Sequence, residues 1–276
     1  LENKYNIQPN ENNQLDVYFN IIENSETRIR KIIISGNDKT NDNVIRRELK
    51  IYPNDVFSMK KLQESYGDVF RLNFFENIDP EIIPVNASRD KVDINFKVIE
   101  KETGRANFSM GYNQEYGLTG GGGFEFINFL GRGQLLSVDY SRGLQQQSQL
   151  SGSNIGNDDK DFQSFSINFR EPRINNTVNS IGISFAHTER GRGSNSYLEY
   201  DINSDRLSLS IGRKFKWPDY FFRGGWTISY RNTKYLGTYA ELDDYFSDDI
   251  IHGTGENAYA SRVGISITQK ISRDSR

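Results

Sequence analysis

No cysteine occurs anywhere in the sequence, which excludes disulfides, a thiolate nucleophile and every zinc site built on sulfur. There are only two histidines, His187 and His252. Neither has a second ligand at useful metal spacing, so no metal site, no cofactor and no catalytic residue is expected, and the chain reads as something other than an enzyme. No apolar run approaches the ~18 residues of a transmembrane helix. A basic excess is missing too: 34 Lys and Arg stand against 37 Asp and Glu, a net charge of −3. That excludes a general nucleic-acid binder. The opening "LENKYNIQPN" is not a signal peptide, so an exported protein would carry its signal upstream of this stretch.

Glycine is scarce at first and then abundant. Of 24 glycines, only Gly36 and Gly67 precede Gly104. Lysine shifts the opposite way, with nine before that point and five after it. The break marks a domain boundary near "EKETG", between a mixed helix-strand region and an all-strand region.

In the first region, "RIRKIIISGN" (28–37) is an isoleucine-rich strand ended by a Gly-Asn turn. "TNDNVIRRELK" predicts a short helix. In "FSMKKLQESYGDVFRLNFF", Met59, Leu62, Tyr66, Val69 and Phe70 recur at spacings of three and four, which predicts an amphipathic helix capped by Ser58. "NIDPEIIPV" and "KVDINFKVIE" read as strands, the second with Val92, Ile94, Phe96 and Val98 on one face. The order is β-α-α-β-β. "QLDVYFNIIE" (14–23) repeats "KVDINFKVIE" at a distance of 77 residues, so residues 1–27 are expected to be the C-terminal strands of a preceding copy.

After Gly104 every apolar segment alternates with period two. "RANFSMGYN", "LLSVDYS", "FSINFR", "IGISFA", "LSLSIG", "WTISYR" and "VGISITQ", with "GGGGFEFI", make eight strands. Soluble sandwiches alternate as well. Here the polar face is mostly Gly, Ser, Thr and Asn, and the connections alternate between short and long from the third onward. Both features suit an antiparallel transmembrane barrel with a wet interior, short periplasmic turns and long outer loops. Mean hydropathy is −0.70, as expected where half of each strand is polar. Trp217, Tyr220 and Trp226 near strand ends suit interfacial belts. "GGGG" at 120–123 lacks the helix and Lys-Ser/Thr pair of a phosphate loop, and reads as strand glycine allowing close approach. "ELDDYFSDDI" lacks the calcium-loop spacing and reads as a solvated outer loop.

These segments resemble the BamA-type outer-membrane protein assembly factors and their wider superfamily of POTRA domains joined to a barrel. "RKIIISGNDKTNDNVIRREL" and "RLNFFENIDPEIIP" are similar to the last periplasmic POTRA domain, and "ETGRANFSMGYNQEYGLTGGGGFEFINFLGRGQ" to the first barrel strands. The resemblance implies residues 28–102 as the last POTRA domain and 103–276 as the N-terminal part of a barrel. Family barrels have sixteen strands and a Val-Arg-Gly-aromatic motif in the second half. Eight strands and no such motif imply a fragment, half of a larger barrel.

The resemblance also implies a function: folding and inserting β-barrel proteins into the outer membrane by strand templating at an openable barrel edge. That edge is the first strand: Arg105, Ala106, Asn107, Phe108, Ser109, Met110, Gly111 and Tyr112. The POTRA edge, with Asn77, Ile78, Ile82 and Ile83, is expected to add a client strand. Arg46, Arg47 and Glu48 read from sequence alone as a solvated helix face, and by resemblance as a docking point for a periplasmic lipoprotein. Pro53 stands near where an acidic partner residue would be expected. Implied partners are unfolded outer-membrane proteins, accessory lipoproteins and outer-membrane lipids, with no nucleic acid. The implied location is the outer membrane, with the POTRA region in the periplasm. Alternatives are a secretion transporter, a TamA-type module, or a porin- or adhesin-like barrel with a periplasmic domain.

Overall fold

A hairpin comes first, β1 (Glu2–Pro9) and β2 (Leu15–Ile22), paired antiparallel. There follow β3 (Arg28–Ser35), α1 (Asp42–Arg46), α2 (Met59–Phe70), β4 (Phe75–Pro84) and β5 (Lys91–Glu100). The computed structural model describes residues 2–9, 15–22, 26–85, 90–113, 117–144, 162–191, 200–215, 217 and 222–273. Two units are distinguished: residues 1–38 with 45–101, and residues 39–44 with 102–276.

In the first unit β3, β5 and β4 form a three-stranded sheet in that order, β3 parallel and β4 antiparallel to β5. Alternation along β5 sends Val92, Ile94, Phe96 and Val98 into a core with Ile29, Ile45, Leu62 and Val69. All eight are at most 5% exposed. Helix α2 starts where expected: the Ser58 side chain accepts the Lys61 N–H. Its packed stripe is Leu62, Ser65 and Val69, while Met59, Tyr66 and Phe70 are exposed. Tyr66 and Phe70 stack on each other instead.

A register shift between Ile29 and Lys31 gives β3 an extra residue. It lets both Arg30 and Lys31 reach Asp93, which is buried on β5. The Arg30 guanidinium grips that carboxylate with two bonds, 2.8 and 2.5 Å, and Lys31 Nζ lies 3.6 Å away. The Arg30 hydrogen bonds hold the Asp93 carboxyl below its usual range. The group is therefore more acidic folded than unfolded. Its stabilisation is present above the unfolded value of about 3.9 and is lost as pH falls through the lower folded value. Amide exchange of β5 in the intact protein should accelerate below about pH 4. Asp93→Asn should exchange faster at neutral pH and show a weaker acid dependence. An unchanged acid slope in that variant would assign the acid loss to other carboxylates.

The second unit is one antiparallel sheet. Its long strands are β6 (Gly104–Asn113), β7 (Gly117–Phe129), β8 (Gln134–Leu144), β9 (Gln163–Glu171), β10 (Asn179–Arg190), β11 (Asp201–Lys214) and β12 (Phe222–Gly237). After β12 come α3 (Tyr239–Asp243), the two-residue β13 (Ile251–His252) and β14 (Ala258–Arg273). Strands pair in sequence order from β6 to β12, then β14, with β13 outside it. The eight long strands are those expected, and β13 is an addition.

The register sorts the side chains into rows. One face carries Ser137, Asn168, Ser184, Ser208, Ser229 and Ser266 side by side across six strands. The other carries Val138, Ile167, Phe185, Leu207, Tyr230 and Ile265 in the adjacent row. Glycines at 121 and 123 let β7 approach β8. A Cβ at either would lie 2.8 Å from a backbone carbonyl oxygen, of Tyr140 or Val138.

Candidate functional site: the open edges and the outer cap

Among the described residues strand β6 pairs only with β7 and forms one edge of the large sheet. In an antiparallel pair each residue points its N–H and C=O to the same side. Ile127 N–H donates to Thr103 O at 3.2 Å, and Gly111 O accepts from the Thr119 hydroxyl at 3.1 Å. With the pairing of Gly104 to Phe126, Arg105, Asn107, Ser109 and Gly111 turn their backbone groups toward β7. Ala106, Phe108, Met110 and Tyr112 turn theirs outward. The same residues present their side chains on the apolar face: Phe108 is 85% exposed, Met110 76% and Tyr112 80%. Phe108 lies over Gly122 of β7, where a Cβ would come within 3.1 Å of its ring. All eight expected edge residues thus lie on one edge strand, but they divide into two sets that sequence does not distinguish.

The expected POTRA edge is also an edge: β4 has no strand on its outer side among the described residues. Ile78 is buried, and Ile82 and Ile83 are 38% and 43% exposed. Asn77 is exposed.

Arg46, Arg47 and Glu48 do not form a solvated helix face. Helix α1 ends at Arg46. Arg47 and Glu48 follow it with side chains only 9% and 12% exposed. Leu49 and Ile51 beyond them are core residues, and the turn that buries them draws the two charged stems in as well. Arg46 reaches the Ile32 carbonyl at 3.5 Å.

The acidic stretch between β12 and β14 is a folded cap rather than a solvated loop. Thr238 and Glu241 form a reciprocal capping box at 2.7 and 3.3 Å, which starts α3. Leu242, Phe246 and Ile251 are then buried against Ala258 and Ala260, with Tyr200 and Tyr235 packed around them. The Tyr235 and Phe246 rings lie 4.7 Å apart, and the Arg262 guanidinium sits 5.1 Å over Phe246. Asp243, Asp244, Asp248 and Asp249 are exposed. Asp243 is held above its usual range by a hydrogen bond with Asp248.

His187 is inside β10, directly opposite Asp205. Its Nδ1 lies 2.6 Å from Asp205 Oδ1 and its Nε2 3.2 Å from Glu189 Oε1. These three end the apolar row begun by Ile183 and Phe185. Among the described residues no group of three His, Asp or Glu side chains is placed to hold a metal ion. Trp217 is 83% and Trp226 53% exposed, while Tyr220 lies outside the described residues.

Residues 27–101 match the POTRA family, described as a surface antigen variable number repeat. The outer membrane protein assembly factor BamA of Neorickettsia risticii is 30% identical over 192 residues, covering 70% of this chain and 24% of that protein. The BamA of Neisseria meningitidis serogroup B is 32% identical over 143 residues, covering 52% of this chain and 18% of that protein. The crystal structure of BamA from Haemophilus ducreyi lacking POTRA domains 1–3 superimposes with a TM-score of 0.71 at 19% identity. That match covers 99% of this chain and 50% of the other, and shows the shared fold. The chain spans about a quarter of the length of the first of these relatives.

Proposed function

We propose, for a chain of BamA type with one POTRA domain followed by barrel strands, that it serves the assembly of other β-barrel proteins by templating their strands at β6. The chain is an outer-membrane protein with its POTRA region in the periplasm. Residues 1–27 are assigned to the end of a preceding POTRA copy. No catalytic chemistry and no cofactor enter this reading.

The observation that carries it is the β6 edge. A client strand entering lipid brings N–H and C=O groups that hydrocarbon cannot satisfy, at several kcal/mol each. Outward backbone groups at Ala106, Phe108, Met110 and Tyr112 offer partners at every second residue. The apolar side chains of the last three face lipid at the same time. The work is therefore done by hydrogen bonding and lipid burial, with no nucleotide required. Unfolded outer-membrane proteins are the substrates in this reading. The β4 edge receives extended client segments before insertion. An accessory lipoprotein docks at the end of α1, where Arg46, Arg47 and Glu48 are half-buried.

This stretch contains no cysteine, so a cysteine introduced into it is the one thiol here, and any cysteine elsewhere in the full-length protein is first replaced by serine. In the full-length protein, F108C or M110C should form disulfides with single cysteines in the terminal strand of a stalled client, with a two-residue periodicity. I183C, on the wall of the sheet, serves as the control. Equal trapping at all three positions would reject β6 as the templating edge.

A further inference from the structure

We propose that the β4 edge of the POTRA domain is built to hold extended polypeptide weakly and in a restricted register, because two prolines remove half of the outward donors between Ile78 and Pro84. The proposal rests on the reading above that this edge meets client segments.

The parity of β4 is fixed at both ends. Val85 N–H donates to Lys91 O at 3.0 Å, and Lys101 N–H donates to Phe74 O at 3.0 Å. Between them Ile83 pairs with Asp93, Glu81 with Asn95 and Asp79 with Lys97, with one register shift between Phe75 and Asn77. Asp79, Glu81 and Ile83 therefore turn their N–H and C=O groups toward β5. Ile78, Pro80, Ile82 and Pro84 turn theirs outward. Proline has no N–H. From Ile78 to Pro84 the free edge thus offers four carbonyl acceptors but only two donors, at Ile78 and Ile82. Both prolines fall on the outward parity, the one that leaves the β4–β5 ladder whole.

Two consequences follow. A second copy of β4 makes a poor partner, because in an edge-to-edge pair each proline leaves a carbonyl opposite it without a donor. A client strand can still pair, donating its own N–H groups to the four carbonyls, while its carbonyls opposite Pro80 and Pro84 stay with water. Each missing bond lowers affinity without blocking the encounter, so the edge releases what it binds. Side chains narrow the class of guest. Glu76, Asp79 and Glu81 are exposed along the strand beside exposed Ile82 and Ile83. The matching occupant is an extended segment that alternates apolar and cationic residues.

The test uses the whole protein in detergent micelles and an eight-residue fluorescent peptide alternating Val and Lys. P80V/P84V restores both donors and should bind the peptide at least about tenfold tighter. I82P removes a further outward donor with the ladder intact and should bind it about threefold or more weaker than I82A, which loses the same side chain but keeps the donor. A peptide N-methylated at every residue cannot pair along either edge of its backbone and should lose the difference between the variants. All variants alter β4 alone, so binding elsewhere cancels. Amide exchange of β5 checks the ladder, and if the double variant loses it, I82P decides alone. Equal affinity of the wild type and the variants, or no binding by any of them, overturns the proposal. Client trapping at β6 is unaffected by either outcome, so failure here leaves the assembly reading standing.

Discussion

Phe96→Ala is expected to cost the POTRA domain about 3–5 kcal/mol, the usual range for truncating a fully enclosed aromatic. Phe96 is 0% exposed in the middle of β5, and Ile94 and Ile29 beside it are also 0% exposed. The surrounding sheet and helix cannot collapse into the space that the ring leaves, so a cavity adds to the lost transfer energy. A small domain holds only about 5–15 kcal/mol in total, so the variant should sit near its unfolding midpoint. Ile99→Ala, on the opposite face of the same strand and 52% exposed, should cost less than about 0.5 kcal/mol. Urea titration of the micelle-held protein, read through amide exchange of β3 to β5, measures both. A loss below about 1 kcal/mol at Phe96 would place the core elsewhere.

That core was legible because a β-strand has a period of two. Val92, Ile94, Phe96 and Val98 could be assigned to one face from their spacing alone, and all four are buried. The same period marks the barrel strands, whose row of five serines and one asparagine is a consequence of alternation plus register. The helix face is less legible. Spacing of three and four groups Met59, Leu62, Tyr66, Val69 and Phe70, yet the packed stripe runs through Ser65. Ser65 is fully buried because its hydroxyl donates to Lys61 O at 2.7 Å and accepts Lys50 N–H at 2.8 Å. A polar letter gives no sign of such satisfaction before the fold is known.

Contacts that depend on strand register were not legible. His187 and Asp205 meet only because β10 and β11 pair in one register out of several that would keep the apolar face outside. The outer cap was hidden for a different reason. Its many carboxylates mask Leu242, Phe246 and Ile251, which find a core only when Ala258 and Ala260 return on β14. Likewise Arg47 and Glu48 carry the letters of a surface turn, but the chain buries Leu49 and Ile51 on either side of Lys50. Neighbours in sequence decided their burial, not their own charge.

Backbone parity, equally invisible in the sequence, decides how β6 should be tested. Proline at Ser109 would remove an N–H that faces β7. It should damage the barrel wall itself, lowering the folded fraction seen as heat-modifiable migration of the full-length protein. Proline at Met110 removes an outward N–H instead and leaves the β6–β7 ladder intact, since an edge strand tolerates proline on its free side. Ser109→Ala and Met110→Ala keep every donor and serve as controls. If β6 templates client strands, M110P leaves one client carbonyl unpaired in lipid. Such a group costs several kcal/mol, so insertion of a reporter barrel should slow by at least about tenfold. The separation of the two phenotypes is the informative result: S109P poor in its own folding, M110P normal in folding and poor in client insertion. Client insertion by folded M110P at the rate of M110A would mean that the outward groups of β6 do not pair with clients, and strand templating at this edge would have to be abandoned.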